Sequence, residues 1–525
     1  MAETPVPPAE APTSASSSAH VWAGIVVGLV CAGVAIGVAQ LVAGIMDPST
    51  APIVAVGSAA IDATPEWLKS FAIRTFGSND KTVLLAGIVV VLAIVAALIG
   101  IAAIRRPRVG YVGLAVMGVL GVAASLSRPD ATLADALPSV VGALAGALML
   151  RAFLMAVRPP ATDGDRRPPV PAGLGRRRFM LTGIAGAVAA VAAGGAGRAF
   201  ARRFDADASR AAIRLPSPSA TPAPATVGLD VPGLSPFVTP NDVFYRVDTA
   251  LLVPAVKAED WSLRVHGMVD REVTLTFEEL KARPLIERDV TLTCVSNEVG
   301  GEYVGNARWL GTPLKDLLEE AGVDPAADQV VSRSADGFTA GSPTAVLMDG
   351  RDAMLAIAMN GEPLPLEHGF PVRMVVPGLY GYVSATKWVV DLELTTFDAF
   401  DAYWIRRGWA QEAPIKTQSR IDTPRGGAGV PAGAVPVAGV AWAQHRGISA
   451  VELRVDGGDW MPAELSEEDT VDTWRQWLVR WDATPGDHRL QVRATDGTGA
   501  MQLEDVAPPF PDGATGYHTV TISVS

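Results

Sequence analysis

Residues 291–311 read TLTCVSNEVGGEYVGNARWLG, from Thr291 to Gly311. Val290 and Leu292 run together with Thr291 and Thr293, an apolar, β-branched stretch that predicts a strand ending at Cys294. Asn297, Gly300, Gly301, Gly305 and Asn306 follow and predict a loop where backbone can approach a ligand closely. A lone thiol at a strand end beside such a loop is a metal ligand, a nucleophile or a small buried hydrophobe. These residues alone leave all three open.

Around that stretch the 525-residue chain is long enough for several domains, and its composition changes along its length. The first third is rich in Ala, Val and Gly; the remainder is of ordinary globular composition. Two cysteines exclude a disulfide framework, and no CxxC is present for an iron–sulfur cluster or a zinc site. A net charge of -12 argues against nucleic acid as a partner.

Met1 to Ala19 reads as a disordered tail of Pro, Ala, Ser and Glu. Trp22–Ile45, Val83–Ile104, Val109–Leu126 and Ser139–Val157 are apolar runs long enough to span a bilayer. Between the first two, Leu68, Phe71, Ala72 and Phe76 share one face of a helix expected over 61–77, lying on the outer bilayer surface. Cys31 reads as packing within the first span. Arg151, in the fourth, is close enough to the cytoplasmic end to snorkel. Arg105, Arg106 and Arg108 follow the second span; Arg158, Arg166, Arg167 and Arg176 to Arg178 follow the fourth. That asymmetry places the N-terminus and the segment after span four inside. No histidine lies within these runs, and His20 just precedes the first. Bis-histidine haem in the membrane is excluded on ligand grounds, so electrons pass through a separate carrier.

Arg176-Arg177-Arg178-Phe179-Met180 precedes a weakly apolar run, Leu181 to Gly197, which is read as a fifth span. The pattern resembles a twin-arginine export signal, although ordinary positive-inside charge gives the same residues. The Pro- and Ala-rich segment from Ile213 to Pro240 predicts an extended, semi-rigid linker.

From Phe237 to Glu412 short strands alternate with Gly/Pro loops and a few helices, an α+β pattern. Trp261–Met268 predicts a strand, Thr276 caps a short helix through Leu280, and Leu314–Ala321 predicts a second helix. Pro414 to Ser525 is all β, with alternation in Val451/Leu453/Val455, Trp477/Val479/Trp481, Leu490/Val492/Ala494 and Val520/Ile522/Val524, and an Asp456-Gly457 turn. Such strands argue a sandwich, with Trp474, Trp477 and Trp481 in its core or at an interface. The chain therefore divides into a tail (1–20), four membrane helices (21–158), a basic loop with a fifth helix (159–203), a linker (204–236), an α+β domain (237–412) and a β-sandwich (413–525).

CVSNEVGG, then GNARWLGTPLKDLL, then HGFPVRMVVPGLYGYVSATKW, in that order, resemble the sulfite oxidase family of molybdopterin-dependent oxidoreductases. The likeness runs from about Phe237 to the C-terminus. It implies molybdenum–molybdopterin as cofactor, with the Cys294 thiolate on the metal as ligand and catalytic residue. It implies cofactor contacts from Tyr245 and Arg246 (NDVFYRV), Thr339 (DGFTAG), His368 and Arg373 (HGFPVR), and Ser384, Ala385, Thr386 and Lys387 (SATK). Asn297, Glu298, Arg308 and Tyr380 are the substrate-pocket candidates. The sandwich resembles the family's immunoglobulin-like dimerisation domain, which implies a homodimer. Arg373 as an ion-pair residue, His368 as a structural histidine and Lys387 as a solvated strand residue are the competing readings.

Glu298 stands where sulfite oxidases carry an arginine for the anionic substrate, and Val383 or a neighbour replaces a second family arginine. A carboxylate repels sulfite at close range, so a neutral or cationic sulfoxide, an N-oxide or another oxo-transfer substrate is expected in its place. The whole is expected to be a multi-pass membrane oxidoreductase, in contact with membrane lipid, carrying out two-electron oxo transfer with its catalytic domain extracytoplasmic. The alternatives are a methionine-sulfoxide-type reductase of the same family and a non-catalytic binding or sensing module.

Overall fold

The computed structural model describes residues 15–65, 80–128, 131–157, 172–219 and 228–525, together with 68, 71, 75 and 76. The chain separates into two units, Met1–Asp205 with Ala250–Leu252, and Ala206–Thr249 with Val253–Ser525.

The first unit is helical: α1 (Ala15–Met46), α2 (Pro52–Ala63), α3 (Asp80–Arg105), α4 (Pro107–Leu126), α5 (Leu137–Val157) and α6 (Ala172–Ala201). Five segments are long and apolar enough to cross a membrane: His20–Met46, Lys81–Arg105, Pro107–Leu126, Leu133–Ala156 and Arg176–Ala212. Val90, Val112, Leu148 and Val191 are exposed on their outer faces, as on helices that are apolar all round. Small residues let the backbones touch. A Cβ at Gly28 would fall on the Ala96 carbonyl of α3, and one at Gly37 or Gly44 on the Ala190 or Gly197 carbonyl of α6. Such small-residue contacts drive helix association in lipid, where apolar burial gives little.

Several expectations change here. The first helix begins at Ala15, so it takes in the end of the expected tail and includes His20; residues 1–14 lie outside the described residues. α2, which the sequence reading did not anticipate, has Pro52 at its first turn and follows a 3-10 turn capped by Asp47. It ends at Ala63; of the surface helix expected over 61–77, about half the residues lie outside the described ones, Ala72 among them, as do Arg158, Arg166 and Arg167. Arg151 is exposed on α5, Cys31 is buried between helices, and Arg176 to Arg178 lie exposed on α6.

The second unit opens with α7 (Asp207–Ala212). Its α+β part holds β1 (Ser262–Gly267), β2 (Val273–Thr276), α8 (Phe277–Lys281), β3 (Ile286–Thr293), β4 (Val304–Pro313), α9 (Leu314–Ala321), β5 (Gln329–Ser334), β6 (Thr339–Pro343), α10 (Thr344–Met348), β7 (Met354–Met359), β8 (Glu362–Pro363), β9 (Arg373–Val375), α11 (Gly381–Ser384) and β10 (Val389–Thr395). One sheet runs β2-β1-β10-β5-β6; the other runs β3-β4-β7-β8, with β9 on β7. α8 starts as expected at a capping box, with Thr276 and Glu279 each satisfying the other's backbone N–H. α9 buries Leu314, Leu317, Leu318 and Ala321 on one face and stops at left-handed Gly322.

The C-terminal part is β-rich: β11 (Gln418–Thr423), β12 (Gly429–Val430), β13 (Gly433–Trp442), β14 (Ile448–Val455), β15 (Met461–Pro462), β16 (Glu464–Leu465), β17 (Arg475–Ala483), β18 (Gly486–Asp496) and β19 (His518–Val524). Sheets β11-β13-β17-β16 and β12-β19-β18-β14-β15 share one core around Val437, Leu453, Trp477, Leu490 and Ile522. Each such side chain contributes about 1.5–3 kcal/mol on burial. Trp477 and Trp481 are thus core, whereas Trp474 packs into the α+β core and donates its indole N–H to the Phe237 carbonyl.

The expected linker is not a free spacer where it is described. Ser219 N–H donates to Leu285 O, Leu229 N–H to Gln476, and Ser235 N–H to Asp422. Its backbone donors pair with the second unit instead of water.

Candidate active site

β3 and β4 form an antiparallel pair whose last register step sets Thr293 opposite Val304. Cys294 follows directly, and residues 294–303 close a loop. Cys294 N–H donates to Tyr303 O at 2.9 Å, Asn297 N–H to Cys294 O at 3.0 Å, and Gly301 N–H to Glu298 O at 2.8 Å. Asn297 Oδ1 accepts from Tyr303 N–H at 2.8 Å. Gly300 needs its glycine: its φ is +76°, and a Cβ would fall on the His518 ring.

Three further segments converge on this loop. From 241–248, Phe244 stacks on Tyr245 with ring centroids 5.1 Å apart and meets His368 edge-on at 5.6 Å. From 366–375, His368 Nε2 donates to the Asn241 carbonyl at 3.1 Å. Arg373 lies over the Trp309 ring at 4.9 Å and donates to His368 O at 3.2 Å. From 380–387, Met374 N–H bonds Thr386 O, which sets β9 beside the Lys387 loop. Gly369, at φ +108°, sits between Arg373 and Lys387 where a Cβ would crowd both.

The charges here are mostly positive and mostly buried. Arg373 is 5% exposed, and among the described residues no carboxylate pairs with it. Burial pulls its pKa down to about 10. Lys387 Nζ bonds Asp248 at 2.6 Å and Glu367 O at 3.1 Å, and burial lowers it to about 8 despite that carboxylate. Arg246 pairs with the same Asp248 at 2.8 Å. His368 is lowered to about 4 by burial and by Arg373, so it is a neutral ring at pH 7. Burial raises the Cys294 thiol, with Ser296 and Lys387 pulling the other way. Tyr245 and Tyr380 both lie close enough to Cys294 to interact electrostatically, and burial raises each, Tyr380 to about 12.

Cys294, Tyr245, Arg246, His368, Arg373, Lys387 and Tyr380 are thus brought together. Ser384 is turned to Leu379 O and Tyr380 O, Thr386 to Ser332 at 2.7 Å, and Ala385 N–H closes the α11 turn on Gly381 O. Thr339 accepts from Tyr403 N–H. Asn297 holds the loop's own backbone. Glu298 is exposed on the loop, so solvent screens its charge. Arg308 is not at the site: it pairs with buried Asp289 through two bonds of 2.9 and 2.6 Å. It lies four residues along β4 from Val304, roughly 13 Å at ~3.3 Å per residue. Nor is Arg373 an ion-pair residue or Lys387 a solvated one.

Asp248, Phe244, Arg420 and His518 were missed. Asp248 was legible, because an acid two places after Arg246 in extended chain faces the same side. Arg420, from β11, donates to Gly301 O at 2.8 Å, and His518 backs Gly300; no local pattern announces such distant contacts.

This donor set fits a molybdenum pterin. Among the described residues no group of three or more His, Cys, Asp or Glu gathers as a metal site. The one soft donor therefore suits a metal whose other ligands arrive with the cofactor. A buried arginine without a carboxylate, beside a buried lysine, suits a phosphate or other anionic group.

Residues 250–404 match the oxidoreductase molybdopterin binding domain. The uncharacterized oxidoreductase YuiH of Bacillus subtilis is 37% identical over 149 residues, covering 28% of this chain and 72% of that protein. Mitochondrial sulfite oxidase of Drosophila melanogaster is 31% identical over 322 residues, covering 51% of this chain and 56% of the relative. The match thus spans a little over half the length of the mitochondrial sulfite oxidases. The sulfane dehydrogenase SoxCD structure from Paracoccus pantotrophus aligns with 25% identity and a TM-score of 0.47, over 54% of this chain and 81% of that one.

Proposed function

Because this chain belongs to the sulfite oxidase family of molybdopterin oxidoreductases, we propose that it catalyses two-electron oxo transfer at a molybdenum centre held by Cys294. Membership makes it a molybdenum-cofactor-dependent oxidoreductase and sets aside the non-catalytic reading. The observation that carries the site assignment is the buried cationic group of Arg373 and Lys387 meeting the lone thiol of Cys294.

Cys294 would ligate the metal, and Arg373, Lys387 and Arg246 would hold the cofactor's anionic and polar groups. His368, neutral and fixed through Nε2, keeps Nδ1 as an acceptor. When bound, the cofactor supplies the metal that exchanges an oxygen atom for two electrons. Tyr380 is protonated at any working pH, and its hydroxyl accepts from the Lys416 N–H at 3.4 Å. The tight loop 294–303 fixes where the thiol points, and ligation displaces its proton.

The substrate class we favour is a sulfoxide or N-oxide. Glu298, and Val383 or a neighbour, stand at positions where sulfite-binding members carry arginines; Val383 itself is buried and apolar. The exposure of Glu298 on the loop also suits a methionine-sulfoxide-type reductase acting on large substrates. We further read the five apolar helices as a membrane anchor, Arg176-Arg177 as a twin-arginine signal, the catalytic unit as extracytoplasmic, the sandwich as an immunoglobulin-like dimerisation domain, and the electron partner as a separate carrier without haem or iron–sulfur groups in this chain.

Metal analysis with Cys294→Ser tests the centre. Wild type from cofactor-replete cells should hold close to one molybdenum per chain and reduce sulfoxides or N-oxides with an artificial donor. The serine variant should fold and lose turnover. Full activity in that variant refutes the assignment.

A further inference from the structure

The helical unit lines a half-open cavity of about 180 Å³ between α1, α2, α3, α4 and α5. Its wall is aliphatic, with Val27, Leu92, Val95 and Leu114 among small residues. Ser139 carries the one hydroxyl in that wall. The residue is 4% exposed, and its Oγ has no hydrogen-bond partner. Ser125 and Thr50, also buried in this unit, are satisfied, donating to Gly121 O at 2.9 Å and to Asp47 O at 2.6 Å; Ser49 Oγ, outside the cavity wall, is the other buried hydroxyl without a partner among the described residues of the unit. Ser139 is in the first turn of α5, so the i−4 carbonyl that a helical serine ordinarily uses lies before the helix.

We propose that this cavity binds the ring of a lipid-soluble quinone, with the Ser139 hydroxyl donating to a ring carbonyl. An unmet hydroxyl in hydrocarbon is costly, and no bulk water reaches it there. A water molecule needs two to four polar partners, and this wall offers one hydroxyl. An acyl chain fills apolar space but leaves the hydroxyl unmet. An engineered apolar cavity of about 150 Å³ accepts benzene, so this one admits a substituted six-membered ring. A ring with a carbonyl acceptor and an apolar tail meets both the volume and the hydroxyl. The site rests on the membrane reading of the helices. The oxo-transfer reading of the second unit is separate, and molybdenum content tests it independently.

The test uses the full chain in phosphatidylcholine nanodiscs and a photoactivatable azido-benzoquinone with a decyl tail. Cross-linked peptides should map to α4 or α5, and excess decyl-benzoquinone should compete. Ser139→Ala should weaken competition about fivefold, the scale of one lost hydrogen bond. Val95→Phe, which fills the space, should weaken it at least tenfold, with molybdenum content and elution volume held as controls of folding. Labelling unchanged by Ser139→Ala overturns the proposal even if Val95→Phe misfolds. So does equal competition by a decyl alkane, which would mark the cavity as a lipid-chain site.

Discussion

Replacing Arg373 with methionine should stabilise the cofactor-free protein while emptying it of metal. A guanidinium whose pKa falls from 12.5 to about 10 in the folded state is held in its charged form at a cost of roughly 3 kcal/mol. Against this stand its bonds to His368 O and Met374 O, long at 3.2 and 3.4 Å, and its contact with Trp309, together worth about 1–2 kcal/mol. Methionine fills similar volume without a charge, so the net gain is about 1–2 kcal/mol, a few degrees in Tm for a unit of this size. The assay compares melting of wild type and variant purified from cells unable to make the cofactor, and molybdenum content from cells that can. Below its folded pKa the arginine pays the full penalty, so the gain should hold across pH 6–8 and shrink as pH rises past 10. A variant that melts lower than wild type when cofactor-free, or that keeps its molybdenum, refutes the reasoning.

Arg308→Met should cost roughly 2–4 kcal/mol in chemical denaturation by stranding buried Asp289, yet leave molybdenum content and KM of the folded fraction unchanged. Gly300→Ala should lower kcat/KM tenfold or more, since both its φ of +76° and the His518 ring oppose a Cβ; wild-type kinetics would show that the loop tolerates movement. His368 titrates near 4 in the fold and 6.5 unfolded, so its neutral form adds stability above pH 6.5 that is lost as pH falls towards 4, by roughly 3 kcal/mol; melting of His368→Phe across pH 4–7 should be flatter than wild type.

Much of this architecture is written locally. The β-branched run before Cys294, the Thr276 cap with Glu279 three residues on, and the apolar face of Leu314, Leu317, Leu318 and Ala321 each specify their element within a few residues. Five apolar runs likewise suffice for five long helices. The site was less legible. Arg308 follows the cysteine closely in sequence, but antiparallel register carries it away along β4 to Asp289. Arg420 and His518 reach the cysteine loop from strands over a hundred residues distant, and nothing in their neighbourhood marks them. α2 was overlooked because its Ala-, Gly- and Val-rich sequence is too short for a span and lacks a polar face.

β3 is an edge strand, and its free side is covered by the C-terminal part. Thr291 N–H donates to Asp472 O at 3.0 Å, Trp474 N–H to Thr291 Oγ1 at 2.7 Å, and Gln444 Nε2 to Thr291 O and Thr293 Oγ1 at 2.9 and 3.0 Å. All of this happens within three residues of the sulfur. A chain truncated after Glu412 would therefore expose an unpaired strand edge beside the thiol and invite intermolecular pairing there. The two halves of this unit should therefore melt as one piece.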